Sequence, residues 1–332
     1  MEEQMAPPSS GVSIPPPPLQ FKGRAQHVET SEVHKMAMQR YKADRSNNGN
    51  LASSWQHHIR VVLVELGICE PSPCTKECDK HCPHLKGAYV EKISTKEAAS
   101  IILRCEWLAA DPKNKSPLGR GVETCYGLKL NGKLIGANCF GRMGGQIGDI
   151  CGPEYADRTG YLMRGACSPS APKHAASFFT RQSVRLASKE MGWVIFFAYS
   201  DTDAAYEMGT IYQACNWKYL GEDLGRAKGS FHMDFESPDG NRTVTSYALN
   251  HDKERKFLRS LGWTEEKGPT RPYLRRLGWR QVNRYGKKKW ACFEGTPTEK
   301  RLLQSLCRYE FLPYPKRAHT QLVMPALSEL VM

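Results

Sequence analysis

The chain of 332 residues contains no run of 18 apolar residues. No segment is therefore expected to cross a bilayer as a helix. Its first twenty residues, MEEQMAPPSSGVSIPPPPLQ, lack the charged-then-apolar layout of a secretory signal and read as a disordered, polyproline-like leader. An intracellular chain in the cytoplasm is expected on both counts. Internal repeats are absent, which excludes solenoids and propellers. The glycine-rich stretch GRMGGQIGDICG lacks the strand-then-helix setting of a nucleotide fingerprint, so it reads as a loop. The twelve cysteines do not form repeated C-x-x-C pairs. Many of them, such as Cys125, Cys139, Cys167 and Cys215, fall inside predicted strands and helices, where a free thiol acts as a small hydrophobe.

What is present in excess is positive charge. The net charge is +13, and it is not spread evenly. From His251 to Met332 eighteen Lys and Arg stand against eight Asp and Glu. Between Arg271 and Lys289 lie eight basic residues and no acidic one: Arg271, Arg275, Arg276, Arg280, Arg284, Lys287, Lys288 and Lys289. Tyr273, Trp279 and Tyr285 are interleaved with them. Cations alternating with aromatic rings suit phosphate contact plus base stacking, so this stretch is a candidate nucleic-acid surface. The plainer reading is a solvated face of a basic protein.

Four segments follow from composition and periodicity. Residues 1–50 read as a Pro-rich leader, disordered or loosely helical, 51–87 as a small helical Cys/His module, 88–250 as an α/β core, and 251–320 as a basic extension that completes the domain. Within the core, STKEAASIILRCEWL carries Ser94 and Glu97 in capping-box spacing. TCYGLKLNGKLIGANCFG is two alternating runs around Asn131-Gly132, the strongest short hairpin signal. YLMRGACS is a strand, and AASFFTRQSVRLASKEMG a helix that ends at Gly192. WVIFFAYSD is a continuous apolar run, hence a central buried strand, and the short helix GTIYQACNW and the strand KYLGED follow it.

The order helix, hairpin, strand, helix, strand, helix, strand resembles a GNAT-type acyltransferase, a mixed sheet that splays in the middle. In that fold the loop before the long helix cradles an anion with backbone N–H groups and the helix dipole. Here the loop is SPSAPKHAAS, making Lys173, His174, Ala175, Ala176 and Ser177 the candidate cofactor-binding residues. The glycine pattern of a coenzyme A cradle is missing from it. An ordinary helix start is the plain alternative. Tyr212 lies one turn into the helix after the splayed strand, where GNAT enzymes keep a leaving-group acid. Asp201, at the mouth of WVIFFAYS, is poorly placed for a core and well placed for a site. Their structural alternatives are a core tyrosine and a helix cap.

The segment FFAYSDTDAAYEMGTIYQACNWKYLG closely resembles the Mom family of phage DNA-modification proteins, with its Tyr-x-Asp strand end and Gly-Thr-Ile-Tyr-Gln-Ala helix. RGACSPSAPKHAASFFTRQSVRLA and the ending Pro-Tyr-Pro-Lys-Arg fit the same family, and the likeness spans roughly residues 88–317. The resemblance implies a transferase that converts adenine N6 in double-stranded DNA to a carbamoylmethyl (glycinamide) derivative, in the cytoplasm of a host cell, as a shield against restriction. Asp201 and Tyr212 fall on the family's essential Asp and Tyr. A family His-Tyr pair should fall near Cys105, Glu106 and Trp107, where this chain reads RCEWLAADPK; Glu106 is then the candidate base. Iron has been linked to the family, and Trp107, Trp217 and Tyr199 are candidate stacking partners for an extruded base. The alternatives are an acetyl-coenzyme A N-acyltransferase and a non-catalytic DNA-binding protein.

A separate cluster, CEPSPCTKECDKHCPH, mixes thiols with imidazoles, a donor set that suits zinc. Cys74, Cys78, Cys82 and His84 are the candidate ligands of a structural ion; a reduced, metal-free loop is the alternative.

Overall fold

The computed structural model describes residues 23–48, 53–74, 78, 82–106, 118, 121–142, 150–201, 207–222, 233–240, 243–244, 249, 252–283 and 287–316. Arg284, Tyr285 and Trp107 lie outside these residues.

A seven-stranded mixed sheet organises the chain. Its strands are β1 (Tyr89–Ile93), β2 (Val122–Leu130), β3 (Lys133–Gly141), β4 (Thr159–Cys167), β5 (Ile195–Ser200), β6 (Lys218–Glu222) and β10 (Lys288–Phe293). They lie in the order β1-β2-β3-β4-β5-β10-β6. Every neighbouring pair is antiparallel except β4 and β5, which run parallel. The β2/β3 turn is built on positive φ at Asn131 (50°) and Gly132 (75°), the primed geometry that matches the twist of a hairpin. Helix α3 (Thr95–Cys105) begins at the full Ser94/Glu97 capping box. Helix α4 (Ala175–Met191) ends at Gly192, whose φ of 70° is left-handed.

The β4/β5 junction positions the site. Only Thr159, Gly160 and Tyr161 pair with β5, opposite Ile195, Phe196 and Phe197. Beyond Tyr161, β4 continues along β3 as far as Cys167, whereas β5 continues along β10 as far as Ser200. The two strands therefore part, and the sheet opens in its middle. This mixed sheet with a central splay, helices on both faces, is the GNAT-like architecture expected from the element order. Phe196 and Ala198 bury against α4, whereas Ile195 and Phe197 join Leu303 of the last helix, Pro297–Leu306. That alternation is why the unbroken apolar run forms a strand covered on both sides.

Three sequence expectations change. Gly23–Asn48 is not a disordered leader but a 26-residue helix, α1. Val33, Ala37 and Tyr41, four residues apart, form a buried stripe on it, and Val33 and Ala37 pack with Ile59, Val62 and Leu63 of α2 (Trp55–Glu65). The module of residues 51–87 is not a separate unit, because α1 and α2 share one core with α3, Cys125 and Cys139 of the sheet. Nor does a basic extension begin at residue 251. Strands β7 (Met233–Glu236), β8 (Thr243–Val244) and β9 (Arg280–Asn283) form a second sheet, ordered β8-β7-β9. With Asp252–Ser260 and Thr270–Arg276 they bury Phe235, Leu258, Trp263, Leu274 and Trp279. This insert sits between β6 and β10 in the chain, and β10 returns to the main sheet.

Candidate functional site

Where β4 and β5 part, a cleft of about 320 Å³ opens, a size that takes a small molecule or a nucleobase. It brings together residues far apart in sequence: Arg60, Glu106, Asn138, Tyr161, Arg164, Tyr199, Asp201, Glu207, Tyr212 and Lys287 all line it. Three cations thus face three carboxylates. That balance differs from the one-signed groove that a phosphate chain requires. Apolar wall comes from Leu162, Met163, Phe179, Met208 and Ile211.

Tyr212 is held rigidly. The short helix α5 (Thr210–Ala214) starts at Gly209, whose φ of 68° is left-handed. A Cβ built on Gly209 would stand 2.2 Å from Trp290 Cζ2, so only glycine allows α5 this close to the ring. The Trp290 indole N–H donates to Ser200 Oγ at 3.0 Å, which fixes that ring. Tyr212 is then wedged between Trp217 and Trp290, at centroid distances of 5.0 and 5.6 Å. Its hydroxyl donates to the Tyr199 carbonyl over 3.5 Å. Desolvation pushes the Tyr212 phenol well above its ordinary value, with the Glu207 charge adding to it. Tyr161 is pushed up to about 12, again chiefly by burial. Both phenols therefore remain protonated donors at neutral pH.

Asp201 follows the last residue of β5, and its carbonyl accepts from the Glu207 backbone N–H at 3.0 Å, which ties the strand end to the start of the α5 turn. Glu106, the C-cap of α3, is 8% exposed and lies 3.8 Å from Arg164 on β4. The Glu106 reading as an ordinary surface residue therefore fails: it is buried in the cleft beside a cation. Arg164 was the missed counterpart. Its signal was an arginine inside the strand YLMRGACS, where an alternating pattern turns it toward the interior. Asn138, also missed, donates to Ser183 Oγ at 2.9 Å and is buried on the floor of the cleft.

The remaining candidates divide. Ala176 lines the cleft, but Ala175 and Ser177 are buried, with the Ser177 hydroxyl donating to the His174 carbonyl. His174 is an exposed left-handed N-cap at φ 66°. Lys173 turns away from the cleft: its backbone N–H donates to Cys74 Sγ at 3.1 Å and its ammonium to the Cys78 carbonyl at 2.5 Å. Trp217 is 1% exposed against Tyr212 and cannot receive a base, whereas Tyr199 faces the cleft. Among the basic residues, Arg271, Arg275, Arg276 and Arg280 sit on the insert. Arg275 binds Gln281, and Arg280 pairs with Glu236 at 2.6 Å. Lys287 is exposed at the cleft. Lys288 and Lys289 are not surface contacts: they are buried in β10, Lys288 paired with Glu222 and Lys289 over the Tyr309 ring.

The fit of cofactors follows from donors. In the loop Ser168–Ala175, Pro169 and Pro172 have no N–H. The N–H groups of Ser168, Ala171, Lys173 and Ala175 are already spent on Ile135, Ser168, Cys74 and Pro172. These four N–H groups are not available to a diphosphate, so a coenzyme A cradle here would be limited to the remaining N–H groups of the loop and of the first turn of α4. Among the described residues the metal-competent group is Cys74, Cys78 and His84, whose ligand atoms lie within 4.8 Å of one another. Cys82 Sγ adds a fourth donor 3.2 Å from Cys74 Sγ. The described cleft residues include no histidine and no three-donor carboxylate group, so these residues by themselves do not make an iron site.

Among solved structures, a Bacillus subtilis acetyltransferase in complex with CoA is similar at 10% identity, over 63% of this chain and 98% of that one, with a TM-score of 0.32. A GNAT family acetyltransferase from Elizabethkingia anophelis with acetyl-CoA bound gives 8% identity, 63% and 99% coverage and 0.33. The IAA acetyltransferase from Bacillus cereus gives 15%, 62% and 99%, and 0.30. No curated protein sequence matches the chain. The Mom protein family matches residues 87–269, just over half of the chain and the whole span from β1 through the splay, Asp201 and Tyr212 into the insert. On that match the chain belongs to the Mom protein family.

Proposed function

We propose that this chain is a DNA adenine-modifying transferase that places a carbamoylmethyl group on adenine N6 of double-stranded DNA and so shields phage DNA from restriction. The observation that supports it most is the meeting of Asp201 and a protonated Tyr212 in one nucleobase-sized cleft of a Mom family chain.

Adenine N6 is a weak nucleophile, because its lone pair is delocalised into the ring. The Asp201 carboxylate accepts the N6 proton as the N6–carbon bond forms to the methylene of a carbamoylmethyl donor. The bond from that methylene to the leaving group breaks, and Tyr212 passes its phenol proton to the departing atom. Proton return from Asp201 to the phenolate through solvent resets the site. Extruding the base costs a few kcal/mol, offset by stacking on Tyr199 and by the apolar wall. The Glu106–Arg164 pair and Asn138 offer charge and hydrogen bonds to the base edges. A structural zinc at Cys74, Cys78, Cys82 and His84 completes the reading.

Expression of the chain in bacteria should yield a modified deoxyadenosine in nucleoside mass spectrometry, heavier than deoxyadenosine by one carbamoylmethyl group in place of hydrogen. Unaltered nucleosides at good soluble expression refute the reading; an acetylated protein or amine in their place supports an N-acyltransferase.

DNA grip is assigned to the insert face of Arg271, Arg275, Arg276 and Arg280 with Lys287. Affinity should fall steeply with salt. Combined Arg271→Ala, Arg275→Ala and Arg276→Ala substitution should flatten the slope of log K against log salt by about 0.9 for each phosphate that is no longer neutralised. An unchanged slope by fluorescence anisotropy removes this face from the interface.

A further inference from the structure

Among the described residues of 66–88, Ile68, Cys69, Leu85 and Ala88 pack at the edge of the core while still partly exposed. Among the described residues of this stretch only Cys82 is buried, and the turn Pro83–Leu85 is their one helical element. At about 25 cal/mol per Å², these partly buried side chains contribute only modest apolar stabilisation to the segment. It nevertheless meets the entrance of α4 at defined points. Cys74 Sγ accepts from the Lys173 backbone N–H at 3.1 Å, and the Lys173 ammonium donates to the Cys78 carbonyl at 2.5 Å. On the same loop, Arg60 of α2 donates to the Pro169 carbonyl at 3.4 Å, and Arg60 also lines the cleft.

Three soft donors gather at this contact, and a fourth stands beside one of them. Sulfur and imidazole atoms of Cys74, Cys78 and His84 lie within 4.8 Å of one another, and Cys82 Sγ stands 3.2 Å from Cys74 Sγ. That gap is far longer than a disulfide of about 2.05 Å. It is roughly half an ångström under the edge of a tetrahedron with metal–sulfur bonds of about 2.3 Å, so an ion entering spreads the pair slightly. The Lys173 N–H already points at one of the sulfurs, as backbone donors do around thiolate-bound metals.

We propose that Cys74, Cys78, Cys82 and His84 bind one zinc-class divalent ion, and that the centre clasps the loop Ser168–His174 and thereby fixes the Arg60 and α4 side of the cleft. On binding, three thiols release three protons to solvent. The ion and three thiolates then carry a net single negative charge, which the Lys173 N–H and ammonium offset. Lys173 thus serves the clasp rather than a cofactor phosphate. The clasp rests on the zinc reading and not on the DNA reading: it holds whatever the cleft transfers.

The test uses the full chain purified under reducing conditions. Zinc released by thiol titration should reach one ion per chain. Replacement by cobalt(II) should give the visible bands of a tetrahedral thiolate site. Cys78→Ser and Cys82→Ser should each weaken zinc binding by at least about tenfold. Chelation of the wild-type chain should then speed amide hydrogen exchange in peptides covering residues 168–177 about tenfold or more, with the β2/β3 hairpin unchanged. Absence of stoichiometric zinc overturns the site. Stoichiometric zinc with unchanged exchange at residues 168–177 overturns the clasp. Both outcomes are separate from the nucleoside measurement, which reports on the transferase alone.

Discussion

Tyr212→Phe and Asp201→Asn are each expected to lower formation of the modified deoxyadenosine by about 10²–10⁴-fold, the usual share of a positioned acid or base. Thermal unfolding should scarcely move for Tyr212→Phe. The hydroxyl's hydrogen bond to the Tyr199 carbonyl is a long one, 3.5 Å, and the ring contacts with Trp217 and Trp290 persist in Phe. The separation of activity from stability is the diagnostic part. A core tyrosine would show the opposite pattern, with stability lost and activity following it. The pH profile gives a second readout. Burial raises the Tyr212 phenol well above its ordinary value, so the proton donor stays loaded through neutral and mildly alkaline pH and is lost only as pH rises past the raised value. The alkaline limb of the rate should therefore lie above pH ~10, an ordinary tyrosine's value. Full activity in Tyr212→Phe, or an alkaline limb near neutrality, assigns the acid role elsewhere.

The parts of the fold legible in sequence are those set by local rules. The Ser94/Glu97 capping box, the Asn131-Gly132 turn and the apolar run of β5 each state their structure within a few residues. The shared position of Asp201 and Tyr212 at one cleft was legible for a related reason: a strand end and a helix start adjoin in sequence as well as in space. What long-range packing decides was hidden. Among its described side chains, helix α1 buries a narrow stripe, Val33, His34, Ala37 and Tyr41, within a polar sequence, so its periodicity is weak until α2 is placed against it. Lys288 and Lys289 looked like part of one basic face, but β10 inserts between β5 and β6 and takes both ammoniums inside, where Glu222 and the Tyr309 ring receive them. The Glu106–Arg164 pair joins a helix end to a strand 58 residues further on, and no local pattern announces that.

Gly209→Ala should have the largest effect of any single methyl group added near the site. Two costs add. An L-residue at φ 68° is disfavoured by about 1–2 kcal/mol. The new Cβ would meet Trp290 Cζ2 at 2.2 Å and Cε2 at 2.4 Å, and overpacking of that kind costs about 1–3 kcal/mol. Trp290 cannot easily yield, because it is fully buried, its indole N–H is bonded to Ser200, and Tyr212 and Tyr219 lie against it. The backbone of α5 must move instead, and Tyr212 moves with it. Destabilisation of roughly 2–5 kcal/mol is expected in denaturant unfolding. In the folded fraction the rate should fall about 10²-fold, since a displacement near 1 Å at a positioned acid is enough for that. Trp290→Phe in the same chain gives the new methyl room at the cost of the Ser200 hydrogen bond, so the double variant should recover part of both losses. If Gly209→Ala unfolds and turns over like the parent chain, the approach of α5 to Trp290 does not set the position of Tyr212.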